Sequence, residues 1–209
     1  MKRGMTLIEL LLSLAVTGII GVTVTAMLFG VTQGTASRND MRNLVVKHQA
    51  VLGRVGSAIR TSKTVLGSSS TYLVLWIADS NGDAAPNLAE LRWMKRDTAT
   101  SELKAYKVAF PTSMTQAQKD AANTAYTLND NFLTVAAALE SNTYVVAETW
   151  ATSVTALAWS LNSGTAQQAT LVSFRVTLNC DAGDDMGMGA ACLRNNGVSA
   201  GSGAGGSTP

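Results

Sequence analysis

The stretch that most constrains this chain is a long uncharged run near its N-terminus. After Glu9 no charged residue occurs until Arg38, and the 22 residues from Leu10 to Val31 carry no charge. About 20 consecutive, mostly apolar residues are needed for a helix to span the hydrocarbon core of a bilayer. The sequence therefore predicts one membrane-spanning helix, with a globular part downstream of it.

The charges beyond this run divide into a basic segment and an acidic one. Residues 38–63 carry six cations and one acid, a net charge of +5, whereas residues 64–209 carry eight cations and twelve acids, a net charge of −4. The basic segment is either a contact for anionic lipid or acidic neighbours, or a solvated helix face. No dense basic tract with interleaved aromatic residues occurs, so nucleic acid is not predicted as a partner of the head.

The residues before the apolar run are ordered differently from those of an ordinary secretory signal. Such a signal is cut at small residues after its apolar core, whereas here the small residue, Gly4, comes first. Cleavage at Gly4 removes a basic leader, residues 1–4, and leaves the apolar helix attached. An ionised Glu9 in a buried helix is costly unless it meets a cation, such as the newly exposed amine of Met5. The alternative is that Glu9 is a first-turn acid that complements the helix dipole.

The order of these features, KRG followed by MTLIELLLSLAVTGII, resembles the class III signal of type IV pilins and of the pseudopilins of type II secretion systems. The resemblance implies that prepilin peptidase cuts between Gly4 and Met5 and that the amine of Met5 is then methylated. It also implies that Glu9 serves filament assembly. Met5 is a departure, because family members more often begin the mature chain with Phe. The segments YLVLWIADSNGD and ELRWMKR also look like the head of the minor pseudopilin J class.

A helical period continues past Gly34, where apolar residues recur at spacings of three and four. The predicted fold class is α+β, with a long N-terminal helix packed on a β-rich, pilin-like head over residues 64–194. The helix is membrane-embedded over residues 5–31 and amphipathic over residues 32–63. His48, the one histidine of the chain, is predicted to pack among apolar residues of this helix.

Alternating apolar residues predict the strands of the head. The predicted strands cover residues 71–78, 88–97, 101–110, 143–151, 153–161 and 169–178. Residues 112–140 are rich in alanine and predict a helical insertion of one or two short helices. The Gly-rich segment after Cys180 is predicted to be a loop, and the Gly/Ser tail 195–209 to be disordered, because neither composition buries apolar surface.

The two cysteines of the chain, Cys180 and Cys192, predict one disulfide, because an exported protein with two cysteines has the number for a single bridge. The alternative is a pair of unbridged small apolar side chains.

A group of oxygen-bearing side chains follows the first predicted strand. Four of them occupy the first, third, fifth and twelfth positions of a calcium loop: Asp79, Asn81, Asp83 and Glu90. Ala84 stands where that loop requires glycine, and Asp and Asn are also the residues of β-turns, so a calcium site and an ordinary turn both stay open. A second acidic cluster follows Cys180: Asp181, Asp184 and Asp185. No cofactor is required beyond this calcium hypothesis.

The sequence does not predict an enzyme, because a lone histidine on a helix leaves no catalytic triad or two-histidine metal site, and no phosphate-binding glycine loop follows a strand. The resemblance instead implies a minor pilin or pseudopilin that passes once through the inner membrane with its head in the periplasm. Its expected partners are prepilin peptidase and other pilin or pseudopilin subunits, with which it assembles at the tip, or in the initiation, of a pseudopilus. The alternatives are a minor subunit of a type IV or DNA-uptake pilus, and a single-pass anchored ligand-binding protein.

Overall fold

The structure, a computed structural model, describes residues 6–180 and 183–194, without the side chains of residues 35–40 and of Cys180. Several predictions fall outside this range. Gly4 and Met5 of the predicted cleavage site, Asp181 of the second acidic cluster, and the predicted disordered tail 195–209 are not described.

The chain begins with one continuous helix, α1, which runs over Leu7–Arg60 and is 54 residues long. Its apolar part contains hydroxyl residues, and these donate to carbonyls of the preceding turn; Thr17 and Thr25, for example, donate to the oxygens of Ser13 and Gly21. By length and composition, Leu7–Gly34 is able to cross a membrane, with a mean hydropathy of 2.2. This apolar helix near the N-terminus qualifies as a single membrane span or a signal anchor.

The chain divides into two compact units, Met1–Asn43 and Leu44–Pro209. The boundary lies inside α1, within the segment predicted to be its amphipathic continuation. The last turns of α1 therefore belong to the same unit as the strands.

The described part of the second unit contains eight strands and two short α-helices. They are β1 (Thr64–Ser68), β2 (Tyr72–Trp76), β3 (Leu91–Asp97), β4 (Glu102–Val108), α2 (Gln116–Ala122), α3 (Phe132–Leu139), β5 (Val145–Ala151), β6 (Val154–Leu161), β7 (Leu171–Cys180) and β8 (Gly183–Cys192). Strands β1 to β5 form one antiparallel sheet in sequence order, and β6, β7 and β8 form a second. A long apolar helix followed by a β-rich region with short helices confirms the α+β prediction.

Two cores hold this unit together, one on each face of the five-stranded sheet. The first joins α1, one face of that sheet and the three-stranded sheet; its members include Val51, Val55, Ile59, Leu73, Leu75, Met94, Leu103, Val172, Phe174 and Val176. The second joins the opposite face to α3; its members include Val74, Trp76, Trp93, Tyr106, Phe132 and Leu139. Because side chains alternate along a strand, β2 and β3 contribute to both cores.

The helical insertion contains α2 and α3, and each begins at a polar cap. Thr115 and Gln118 form a reciprocal capping box at the start of α2, and the side chain of Asn131 accepts from the backbone at the start of α3. These caps satisfy backbone N–H groups that a short helix otherwise leaves without partners.

The prediction of a loop after Cys180 is wrong, because Gly183–Cys192 form β8, which pairs with β7 along its full length. The strand also explains why glycine alternates there. A Cβ at Gly187 would lie 2.8 Å from Cδ2 of His48, and a Cβ at Gly189 would lie 2.5 Å from Cζ of Phe174. The glycines therefore leave room for two rings under the sheet. β1 was not predicted from the sequence, and it pairs with β2 through an irregular register.

The predicted disulfide is also wrong, because Cys192 is a free, exposed thiol. The backbone register places Cys180 opposite Gly183 and Cys192 opposite Leu171, at the two ends of the β7–β8 hairpin. A strand of this length separates them by roughly 30 Å, whereas a disulfide needs Cα atoms within about 7 Å.

Candidate assembly and interaction sites

Glu9 lies in the first turn of α1 and forms a capping box with Thr6. The backbone nitrogen of Thr6 donates to Oε2 of Glu9 at 2.9 Å, and its hydroxyl donates to the same oxygen at 3.0 Å. In return, the backbone nitrogen of Glu9 donates to the Thr6 hydroxyl at 3.4 Å. This role of Thr6 was not predicted, although a Thr three residues before a Glu at the start of an apolar run is the pattern of a capping box.

The capping box uses one carboxylate oxygen of Glu9. Oε1 accepts no hydrogen bond from the residues that the structure describes. That oxygen is available to a cation, while Oε2 secures the start of the helix. Both roles weighed for Glu9, the first-turn acid and the partner of an amine, are therefore compatible in one side chain.

The apolar part of α1 exposes large side chains around its whole circumference. The exposed fractions include 81% for Leu7, 75% for Ile8, 71% for Val22 and 77% for Met27. A helix that is apolar on all sides is stable where lipid or other apolar helices surround it. This surface is the largest unpartnered apolar area among the described residues, and it requires such surroundings.

The residues of the calcium hypothesis instead close a hydrogen-bonded turn between β2 and β3. Oδ2 of Asp79 accepts from Nζ of Lys63 at 3.1 Å and from the backbone nitrogen of Ala84 at 3.2 Å. Asp83 accepts from the side-chain amides of Asn81 at 2.8 Å and Asn87 at 2.9 Å. The Asn87 amide is the main cause that lowers the pKa of the Asp83 carboxyl.

Glu90, the fourth residue of that hypothesis, is buried and serves the same turn. Its Oε2 accepts from Nε1 of Trp76 at 2.9 Å, and its Oε1 accepts from the backbone nitrogen and hydroxyl of Ser80 at 2.5 and 2.6 Å. Four neutral donors, including the backbone nitrogen of Asn87, therefore surround one buried carboxylate.

No group of three or more His, Cys, Asp or Glu side chains within residues 6–180 and 183–194 is arranged to hold a metal ion. In the second acidic cluster, Asp184 accepts from the side-chain amide of Asn179 at 2.7 Å, and Asp185 contacts His48. Both carboxylates lie on β8 and not in a loop. The hydrogen bonds of Asp79, Asp83 and Glu90 are those of the turn that was weighed against calcium.

His48 is buried, with 5% of its surface exposed, and it makes two polar contacts in addition to the predicted apolar packing. Its Nδ1 lies 2.9 Å from Oδ2 of Asp185, and its Nε2 lies 3.1 Å from the backbone oxygen of Val176. Both ring nitrogens face acceptors, so the imidazolium form donates to both and a neutral ring donates to one. The ring fills the space above Gly187.

A groove runs beside α1 in the second unit, and we call it the α1–β5 groove. It encloses about 240 Å³ and is lined by Lys47, Ala50, Val51, Arg54, residues 149–152 and Leu178. Its floor is mostly apolar, and the two cations of α1 are exposed on its rim. Within the described residues neither cation has an ion-pair partner.

No protein-family model matches this chain, and comparisons with curated proteins and with solved structures find no match.

Proposed function

We propose that this protein is a minor pilin or pseudopilin, a structural subunit that enters a filament through its N-terminal helix. The observation that carries the proposal is the order of features in the first 31 residues: a basic leader, Gly4, Met5, Glu9 and then an uncharged run. The exposed apolar surface of α1 supports the proposal, because a filament core of packed helices can replace the lipid around it.

The mechanism is association. Before assembly the apolar part of α1 lies in the inner membrane, and cleavage after Gly4 exposes the amine of Met5. That amine, from the same or a neighbouring subunit, is the cation that a carboxylate in an apolar environment requires. Oε1 of Glu9 accepts no hydrogen bond from the described residues and is the oxygen that we assign to this pairing.

In this proposal the head provides contact surfaces for neighbouring subunits and no catalytic role is assigned to it. Its buried polar residues, Glu90 and His48, hold turns and elements together through hydrogen bonds. The proposal therefore assigns the head to contacts with neighbouring subunits, at the tip of a filament or during its initiation.

The test is the intact mass of the protein purified from membranes of cells that contain prepilin peptidase. We expect a mature chain that lacks residues 1–4 and carries one added methyl group. An intact Met1, or a cut after the apolar run, contradicts the proposal and favours an anchored binding protein. Two variants separate the steps: Gly4→Leu is expected to abolish cleavage, and Glu9→Gln to permit cleavage but reduce co-purification with filament subunits.

A further inference from the structure

We propose that Asn81 is a site of spontaneous covalent modification, at which Gly82 attacks the side-chain amide and water then converts the asparagine into aspartate or isoaspartate. The site lies in the turn between β2 and β3, and it is the one Asn-Gly sequence within residues 6–180 and 183–194. The modification goes beyond the proposed function, because it needs only the head and does not depend on entry into a filament.

The reaction needs one nucleophile, which the chain supplies, and one water molecule. The backbone nitrogen of Gly82 loses its proton and forms a bond to Cγ of Asn81, and the C–N bond of the side-chain amide breaks. The amide nitrogen takes up a proton and leaves as ammonia, so a five-membered succinimide ring remains. Water opens this ring at either carbonyl carbon, which gives aspartate or isoaspartate. No atom is oxidised or reduced, and the reaction uses no cofactor.

The nucleophile is accessible in this turn. Asn81 and Gly82 are both exposed, and the backbone nitrogen of Gly82 donates no hydrogen bond to the residues that the structure describes. Gly82 has a φ of +74°, and open space lies where a Cβ would be. No neighbouring side chain therefore shields this nitrogen, and no hydrogen bond has to break before it reacts.

The side chain of Asn81 is folded back toward the same nitrogen. Its Oδ1 accepts from the backbone nitrogen of Asp83 at 3.4 Å, which is the arrangement of an Asx turn, where an asparagine bonds the backbone two residues on. The ring of atoms that this hydrogen bond closes contains both Cγ of Asn81 and the nitrogen of Gly82. The turn therefore holds the two reacting atoms close together.

Asn162 has the opposite arrangement and provides an internal comparison. It is also exposed, and the small residue Ser163 follows it. Its Oδ1, however, accepts from the backbone nitrogens of Thr170 and Leu171 at 2.9 and 3.1 Å, and its Nδ2 donates to the Thr170 hydroxyl at 2.8 Å. These bonds direct the side chain to a segment eight and nine residues further along the chain, and not to the next backbone nitrogen. Asn81 is therefore the reactive position, and the fold protects Asn162.

Modification changes the turn in which it occurs. Nδ2 of Asn81 donates to Oδ2 of Asp83 at 2.8 Å, and a carboxylate at position 81 cannot donate this bond. It places a second negative charge beside Asp83 instead. Isoaspartate also adds one carbon to the main chain between β2 and β3. The exposed surface of the head thus gains negative charge as the chain ages.

The test is peptide mapping of the folded, full-length chain in detergent after incubation at pH 8 and 37 °C. The protein carries Asn196→Gln, which removes the other Asn-Gly sequence of the chain. Fragmentation of the tryptic peptides by mass spectrometry locates each converted asparagine. The converted fraction at Asn81 is expected to be at least tenfold that at Asn162, and in isotopically labelled water the product is expected to contain one labelled oxygen atom. Equal fractions at the two positions, or no conversion at Asn81, overturn the inference.

Two further comparisons separate the effect of the turn from that of the dipeptide. A blocked synthetic peptide of residues 77–85 measures the rate without the fold, and the folded chain is expected to convert no more than threefold more slowly. A slower rate in the folded chain overturns the inference, because the turn then protects Asn81. Asn81→Gln is expected to abolish conversion in the fragment that contains the turn, since the longer side chain closes a six-membered ring far more slowly. Undiminished conversion in that variant, with an unchanged circular dichroism spectrum, also overturns the inference.

Discussion

His48 and Asp185 lie 137 residues apart in the chain, and their side chains meet at 2.9 Å between Nδ1 and Oδ2. The first belongs to α1 and the second to β8, so this pair joins the last turns of the long helix to the final hairpin. The other ring nitrogen reaches the backbone oxygen of Val176 on β7 at 3.1 Å. One side chain of α1 therefore contacts two neighbouring strands of the three-stranded sheet.

Replacing His48 with Leu is expected to lower the free energy of unfolding by about 1–3 kcal/mol, the usual cost of leaving buried hydrogen-bonding groups without partners. The cost arises mainly at the buried oxygen of Val176, since Asp185 is half-exposed and water can solvate it. Urea unfolding of the full chain in detergent, followed by tryptophan fluorescence, measures the change. Gln49→Leu, at an exposed position on the same helix, is the matched control, and equal effects of the two variants contradict the prediction.

Adding a methyl group under the three-stranded sheet is expected to destabilise the head. A Cβ at position 189 would lie 2.5 Å from Cζ of Phe174, and one at 187 would lie 2.8 Å from Cδ2 of His48. Gly189→Ala and Gly187→Ala are therefore expected to cost about 1–3 kcal/mol each, as overpacking of a filled core does. Gly53→Ala is the control, because open space surrounds that helical position and alanine favours the helix by up to about 1 kcal/mol. A loss at position 53 as large as at 189 contradicts the prediction.

The helix and most strands of this chain could be predicted because the spacing of their apolar residues follows the period of the local secondary structure. In β7, for example, Val172, Phe174 and Val176 alternate with polar residues, and all three are buried on one face. In α1 the buried residues Val51 and Val55 recur one turn apart. These patterns are local, so periodicity alone locates the elements.

β8 could not be predicted in the same way, because its stability comes from its partners. Glycine has little preference for strands, and only the rings of His48 and Phe174, distant in sequence, explain the residues at 187 and 189. The disulfide prediction was wrong for the same reason, because the register of β7 and β8 determines the distance between the cysteines. For the acidic turn, composition suited both a metal site and a hydrogen-bonded loop, and the burial of Glu90 against Trp76 and Ser80 depends on tertiary contacts that composition does not report.

Glu90→Gln is expected to destabilise the turn by about 1–3 kcal/mol. The carboxylate of Glu90 accepts hydrogen bonds through both oxygens, whereas the glutamine amide has one oxygen and turns an N–H group toward some of the same donors. Trp76 and Ser80 are those donors, so the fluorescence of the tryptophan is expected to change as well. Asp83→Asn, at an exposed position of the same turn, is expected to cost less. Calorimetric titration of the full chain with calcium is expected to give no binding heat, and a saturable heat that Glu90→Gln abolishes contradicts the turn assignment.

The ion pair of Asp97 with Lys104 is expected to make stability depend on pH in the acid range. Nζ of Lys104 lies 2.8 Å from Oδ2 of Asp97, and this hydrogen bond, with a smaller effect of the backbone N–H of Ala99, holds the pKa of the Asp97 carboxyl well below its usual range. A carboxyl whose pKa is lower in the folded state contributes its full stability above the unfolded pKa, near pH 4, and loses it progressively as the pH falls toward the folded value. Asp97→Asn is therefore expected to be less stable than the unmodified chain at pH 7, with a difference that shrinks between pH 4 and pH 2. Urea unfolding across this range measures the difference, with the exposed Glu148→Gln as the control, and a difference that stays constant down to pH 2 contradicts the prediction.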